Sequence, residues 1–192
     1  MTPALPDLLL DTCALINLSY CSPIASLFKT RYAGRVGWTR AVQVELTRQR
    51  SRKPPHPQAG RACNWAVSWL PPPIEIVDSG EQAAVAVIQT QIAFGGEDDN
   101  LDHLGEASSI HLLAATGTGR LISDDHGARA VARYQHKVRA SSTVGVLAEL
   151  LARGAVSPET VDLYLNTLRT HSRMRVALTS QDLLRRDLGS WE

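Results

Sequence analysis

Five acidic residues carry the chemistry this sequence suggests: Asp11, Glu45, Glu106, Asp124 and Asp125. Asp11 ends the run Leu8-Leu9-Leu10, which is apolar at every position and reads as a strand buried on both faces. A carboxylate at the carboxyl end of such a strand lies where open α/β sheets bind ligands. The pattern returns about 110 residues later, where Gly119-Arg120-Leu121-Ile122-Ser123 runs into Asp124-Asp125. Glu45 falls one to two turns into the helix after the second strand, and Glu106 in the first turn of a strong helix. Strand ends and the N-termini of the following helices share one edge of a parallel sheet, so these acids can converge. Converging carboxylates repel and hold their protons unless a cation sits between them. For an all-oxygen site the natural partner is Mg²⁺ or Mn²⁺. Such a cation lowers the pKa of a bound water and steadies a phosphodiester during in-line attack, so no protein nucleophile is required. Each acid alone has a plainer reading. Asp11, Asp124 or Asp125 can cap a helix, Glu45 can be a solvated helix residue, and Glu106 can complement a helix dipole. Their joint placement at one edge favours the site.

The elements that must position them alternate strand and helix. Strands are expected over about residues 7–11, 35–38, 74–77, 120–123 and 138–140. Helices are expected over 12–18, 24–32, a stretch from the Thr39 cap through Val42, Val44 and Leu46, 61–70, 79–92, 104–116 and 125–134. Pro54, Pro55, Pro57 and Gly60 mark a loop, and Pro71-Pro72-Pro73 stops a helix. Residues 143–175 read as two helices joined at Gly154, with Ser157-Pro158-Glu159 starting the second, and residues 180–188 as a terminal turn. The alternation predicts a three-layer α/β/α sandwich with a parallel central sheet and extra C-terminal helices.

Bulk properties set bounds on this. With 192 residues, 44% hydrophobic and 20% charged, the chain can bury an ordinary core. A net charge of +1 means that any basic surface for nucleic acid is local. Cys13, Cys21 and Cys63 form no zinc spacing and read as small, reduced, buried thiols, consistent with a cytoplasmic setting. No basic-then-apolar leader and no long apolar window is seen, so neither a signal peptide nor a membrane span is expected.

Leu9-Leu10-Asp11-Thr12-Cys13-Ala14-Leu15-Ile16, Leu104-Gly105-Glu106-Ala107 and Leu121-Ile122-Ser123-Asp124-Asp125-His126-Gly127-Ala128-Arg129 together resemble a PIN-domain ribonuclease. Ser142-Thr143-Val144-Gly145-Val146-Leu147 resembles the stretch after the last catalytic strand of one subgroup. The resemblance covers roughly residues 7–150. It implies a PIN-like nuclease domain over 1–153, with a helical extension over 154–192 packed on it. It further implies a Mg²⁺- or Mn²⁺-dependent ribonuclease, with Asp11, Glu45 and Glu106 as site acids and Asp124 or Asp125 as the fourth. The cation ligands implied are Asp11, Glu106, Asp124 and Asp125. Many such proteins resemble VapC-type toxins, the nuclease halves of type II toxin–antitoxin pairs. That implies an antitoxin partner that covers the pocket, and pairing of two copies. Residues 50–73 and the helices after 154 have no counterpart in a compact toxin.

Other residues add to the picture. No acid lies between Glu45 and Glu75, while Arg48, Arg50, Arg52, Lys53 and Arg61 do. This predicts a phosphate-contacting arm, against the plainer reading of a solvated loop with Trp65 and Trp69 as core. Thr12 can place water or phosphate, or simply start its helix. Arg129 can pair with a site acid or contact an RNA phosphate oxygen, and an ion pair that orients the acids is the preferred reading. His126, beside the pocket, can assist proton transfer, and the other histidines read as surface or cap residues. Gly95–Asp102 reads as a polar loop, with Asp102 close enough to reach the pocket through water. Two other functions compete. One is a non-catalytic module that binds RNA or a protein, which clustered carboxylates disfavour. The other is a phosphotransferase using Asp11 as nucleophile, disfavoured because Cys13 stands where its second Asp is needed.

Overall fold

The computed structural model describes residues 6–93, 103–172 and 177–185. Strand β1 (Leu8–Leu10) leads directly into helix α1 (Thr12–Ser19), followed by α2 (Ser22–Tyr32) and strand β2 (Val36–Gly37). Helices α3 (Arg40–Ser51), α4 (Ala59–Val67), α5 (Ser79–Ile92) and α6 (Leu104–Thr116) come next. Strand β3 (Arg120–Ile122), helix α7 (His126–Ala130), a π-turn (Val131–Gln135) and strand β4 (Arg139–Ser141) complete the sheet. Helices α8 (Thr143–Ala152), α9 (Pro158–His171) and α10 (Ser180–Arg185) follow. The expected loop at Gly95–Asp102, including Asp102, lies outside the described residues.

The four strands pair in parallel in the order β2-β1-β3-β4, with Leu9 opposite Gly37 on one side and Leu121 on the other. Successive strand side chains point to opposite faces. Leu8, Leu10 and Ile122 therefore join one core, with residues of α1 to α4 and α8 to α10. Leu9 and Leu121 join the other, with Val85, Ile88, Ala107, Ile110 and Val131. Helices thus cover both faces, which gives the expected three layers and explains why β1 is apolar throughout. The segment after Gly154 is part of the same structure: Val161, Tyr164, Leu165 and Leu168 of α9 are fully buried in the first core.

The expected strand over 74–77 is corrected. Ile74 makes a single parallel bridge to Thr39, donating to the Trp38 carbonyl and accepting from Arg40 N–H. By Val77 the chain is 76% exposed, so no apolar burial extends the pairing. The helix expected over 125–134 is also revised, since it loosens into the π-turn at Val131, where His136 N–H bonds the Val131 carbonyl.

The order β2-β1-β3-β4 has a functional consequence. From β1 the chain goes to one side for β2, then returns across the sheet for β3. The carboxyl ends of β1 and β3 therefore flank a crevice where the connections diverge, the usual ligand position in such sheets.

Candidate functional site

Asp11 is held by the start of α1. Its Oδ1 accepts from the Ala14 N–H at 2.7 Å as N-cap, and its Oδ2 accepts from Cys13 Sγ at 3.0 Å. It is fully buried. Asp124, just past β3, is held by three groups from other elements. Asn17 Nδ2 donates to its Oδ2 at 2.7 Å, while the Thr143 backbone N–H and hydroxyl donate to its Oδ1 at 2.8 and 3.0 Å. The Tyr164 hydroxyl in turn donates to Thr143 Oγ1 at 3.3 Å, linking α9 to the crevice. Asp125 caps α7 through Ala128 N–H at 2.9 Å, and its other oxygen lies 3.7 Å from His103 Nδ1.

Glu45 reaches in from α3. Its Oε1 accepts from Gly105 N–H at 2.8 Å, and its Oε2 accepts from the Thr12 hydroxyl. Thr12 therefore spends its hydroxyl on a neighbouring carboxylate. A Cβ on Gly105 would fall 2.8 Å from Val42 Cγ2 and 2.9 Å from Glu45 Oε2. Only glycine lets α6 approach α3 closely enough for that bond. Glu106, next on α6, is 6% exposed, and its Oε2 is buried with no hydrogen-bond partner.

The structure thus brings Glu106, Asp124 and Asp125 to one cleft of about 1020 Å³, which Cys13, Asn17 and His103 also line. Arg52, Lys53, Pro54, Pro55, His56 and Pro57 line it too. Asp11 is buried behind that lining, with a ligand atom within 4.8 Å of Cys13 and Glu106, and Glu45 does not line the cleft. Of the basic arm, Arg52 and Lys53 face the cleft. Arg48 instead lies near enough to Glu45 to draw its proton affinity down, and the Arg50 stem packs beside Gly60. Trp65 and Trp69 pack on the core with ring centroids 5.4 Å apart, as the plainer reading had it. The expected pairing of Arg129 with an acid is corrected. Its guanidinium donates to the Ser123 carbonyl at 2.8 Å, because that strand end comes within one helical turn of it. His126 is exposed at the start of α7.

Burial without a counter-charge dominates the electrostatics. It lifts Asp11 from an ordinary value of 3.8 to about 7, despite the bonds from Cys13, Ser123 and Ala14, with Asp124 lifting it further. Burial lifts Glu106 well above its ordinary range, reinforced by Glu45 and Asp11. Glu45 is lifted by burial too, against the bonds from Thr12 and Gly105. A divalent cation is the group that relieves such a cluster, and the donor set fits one. Asp11, Cys13 and Glu106 each offer a ligand atom, all within 4.8 Å of one another, and His103, Glu106 and Asp125 do the same. The Glu106 oxygen without a hydrogen-bond partner would be free to coordinate such a cation.

Sequence reading placed the acids and missed what surrounds them. Cys13 was expected to be an ordinary buried thiol, and His103 a surface or cap residue; His103 does stand at the N-cap position of α6, and both also line the cleft. The signal for α1 was present, since Cys13 and Asn17 are four apart and share a helix face with the Asp11 end. Thr143 fell in a stretch read only as resembling a family segment, and Tyr164 gave no signal, since its role depends on α9 packing.

A family model described as a PIN domain matches residues 7–188. No curated protein and no solved structure matches the chain. With the match spanning the sheet, the acidic crevice and α9 alike, the chain belongs to the PIN-domain family.

Proposed function

We propose that this protein is a Mg²⁺- or Mn²⁺-dependent endoribonuclease that hydrolyses RNA phosphodiester bonds. The observation that carries the reading is the buried, partnerless oxygen of Glu106, a residue that offers a ligand atom within 4.8 Å of Asp11 and lines a cleft with Arg52 and Lys53. Asp11 and Glu106 would hold the cation, with Asp125 and Asp124 beside them. When bound, the cation supplies charge stabilisation for the scissile phosphate and acidifies the attacking water. The chain's own residues do the rest. The Ala14 N–H and Cys13 fix the Asp11 oxygens, and Asn17 and Thr143 fix Asp124. Rotamers held by such bonds cost no reorganisation during reaction. Glu45, clamped by Thr12 and Gly105, acts as a positioning residue that raises the negative potential on Glu106. Arg52 and Lys53 would take phosphates flanking the cut.

The setting we propose, on the strength of the family, is the toxin of a type II toxin–antitoxin pair in the cytoplasm. An antitoxin segment would fill the cleft, and two copies of the chain would pair. Among the described residues no helix is long and apolar enough to cross a membrane. The test is cleavage of a mixed single-stranded RNA by wild type and Asp11→Asn, with Mg²⁺, Mn²⁺ or EDTA. Cutting that needs the metal and Asp11 supports the nuclease. No cutting and no metal binding by calorimetry replaces it with a binding module. Co-expression with the neighbouring reading frame and light scattering test the antitoxin and the pairing.

A further inference from the structure

The two ligand clusters meeting at Glu106 are not all-oxygen: one contributes the Cys13 sulfur and the other the His103 imidazole. The sulfur is held in place. Cys13 Sγ lies 3.0 Å from Asp11 Oδ2 and 3.8 Å from Ser123 Oγ, and the Asp124 backbone N–H points at it from 3.2 Å. An N–H directed at sulfur favours negative charge there. The second, independent observation is the Glu106 Oε2, buried, without a partner and within reach of the same point. We propose that Cys13 Sγ is a ligand of the site's cation beside Asp11 and Glu106, giving the site a preference for softer transition-metal cations such as Co²⁺ or Zn²⁺ over Mg²⁺. The proposal rests on the reading of the acids as a cation site and names the class of cation that site takes.

The chemistry follows from the donors. Thiolate and imidazole favour softer cations, while Mg²⁺ takes oxygen and keeps its waters. In the cation-free site the thiol keeps its proton and donates it to Asp11, since burial and then the charges of Asp11, Asp124 and Glu106 oppose a thiolate. On binding, the Sγ–H bond breaks and the sulfur lone pair forms the bond to the cation. The proton leaves to solvent through a neighbouring carboxylate, and no electron is transferred. Cys21 is buried in the first core and Cys63 packs against it, so neither belongs to the cleft.

The test titrates metal-free protein with Co²⁺ and reads the near-ultraviolet sulfur-to-cobalt charge-transfer band, with binding measured in parallel by calorimetry. Wild type is expected to show the band at one equivalent. Cys13→Ser, which keeps a hydroxyl to donate to Asp11, is expected to bind Co²⁺ without it. Its Zn²⁺ affinity is expected to fall at least about tenfold, with Mg²⁺ affinity little changed. Circular dichroism and a parallel Cys13→Ala variant separate ligand loss from misfolding. Co²⁺ bound by wild type without the band, or a band that survives in a folded Cys13 variant, overturns the sulfur ligand and leaves the acidic cation site standing. No Co²⁺, Mn²⁺ or Mg²⁺ binding at all overturns both.

Discussion

Replacing Asp11 by Asn should stabilise the metal-free protein while abolishing its activity. The folded pKa of about 7, against an ordinary 3.8, means that charged Asp11 disfavours the fold. The sign follows from the raised value: the penalty is fully present above pH 7, shrinks as pH falls through 7, and vanishes below about pH 4. At 1.36 kcal/mol per unit of pKa difference the ceiling at pH 8 is about 4 kcal/mol. Local relaxation and water entry bring a realistic figure to about 2–4 kcal/mol. Asn keeps the Oδ1 that caps Ala14 and removes the charge, and its amide can donate to the Cys13 sulfur. For a chain of this size the gain corresponds to a rise in Tm on the order of 5–15 °C. The assay is thermal unfolding in EDTA from pH 5 to pH 8.5, for both proteins. Wild type should grow more stable towards pH 5, Asp11→Asn should hold a flatter profile, and the gap between them should narrow towards pH 5 to about a third of its value at pH 8. Added Mn²⁺ should raise the wild-type Tm and leave the variant nearly unmoved. If Asp11→Asn unfolds at or below the wild-type temperature at pH 8 in EDTA, with parallel pH profiles, the buried-charge argument is wrong.

Gly105→Ala should cost about 1–3 kcal/mol in chemical denaturation, since its Cβ cannot fit against Val42 and Glu45, and should depress cleavage by freeing the Glu45 clamp. Tyr164→Phe removes only the bond to Thr143; a loss of about 1 kcal/mol of stability is expected, with kcat falling more than KM rises as Asp124 loosens. Arg52→Ala with Lys53→Ala should raise KM for RNA and reduce the slope of log affinity against log salt by roughly 0.7 for each phosphate no longer neutralised. A kcat that collapses with KM unmoved would place those two side chains at the reacting bond instead. Glu106→Gln should weaken Mn²⁺ binding by calorimetry with the fold intact, because the lost charge belongs to the oxygen without a protein partner.

The parts of this molecule that were readable beforehand are those written locally. Leu8-Leu9-Leu10 had to be buried on both faces, and the strand ends at Asp11 and Ser123 followed from where the apolar runs stop. Helix α6 fell at Leu104–Thr116 as its pattern required. What escaped depends on contacts distant in sequence. Ile74 carries a strand-like composition, yet only one bridge forms because the chain turns into α3 at Arg40 and offers Val77 no strand to pair with. Arg129 has the spacing for an ion pair, yet a backbone carbonyl arrives first. The Tyr164 support of Thr143, and through it of Asp124, requires knowing that α9 folds back onto α8, which no periodicity states.

That support also sets an order in time. The crevice takes its first acid from residue 11 and its last brace from residue 164, so synthesis delivers the two ends of the site far apart. A nascent chain still lacking α9 holds Thr143 without the Tyr164 hydroxyl and leaves the first core open where Val161, Leu165 and Leu168 belong. The site therefore reaches its braced form only once α9 has left the ribosome. In the proposed RNA-cutting role, this delays competence well past the moment at which the Asp11 end first emerges.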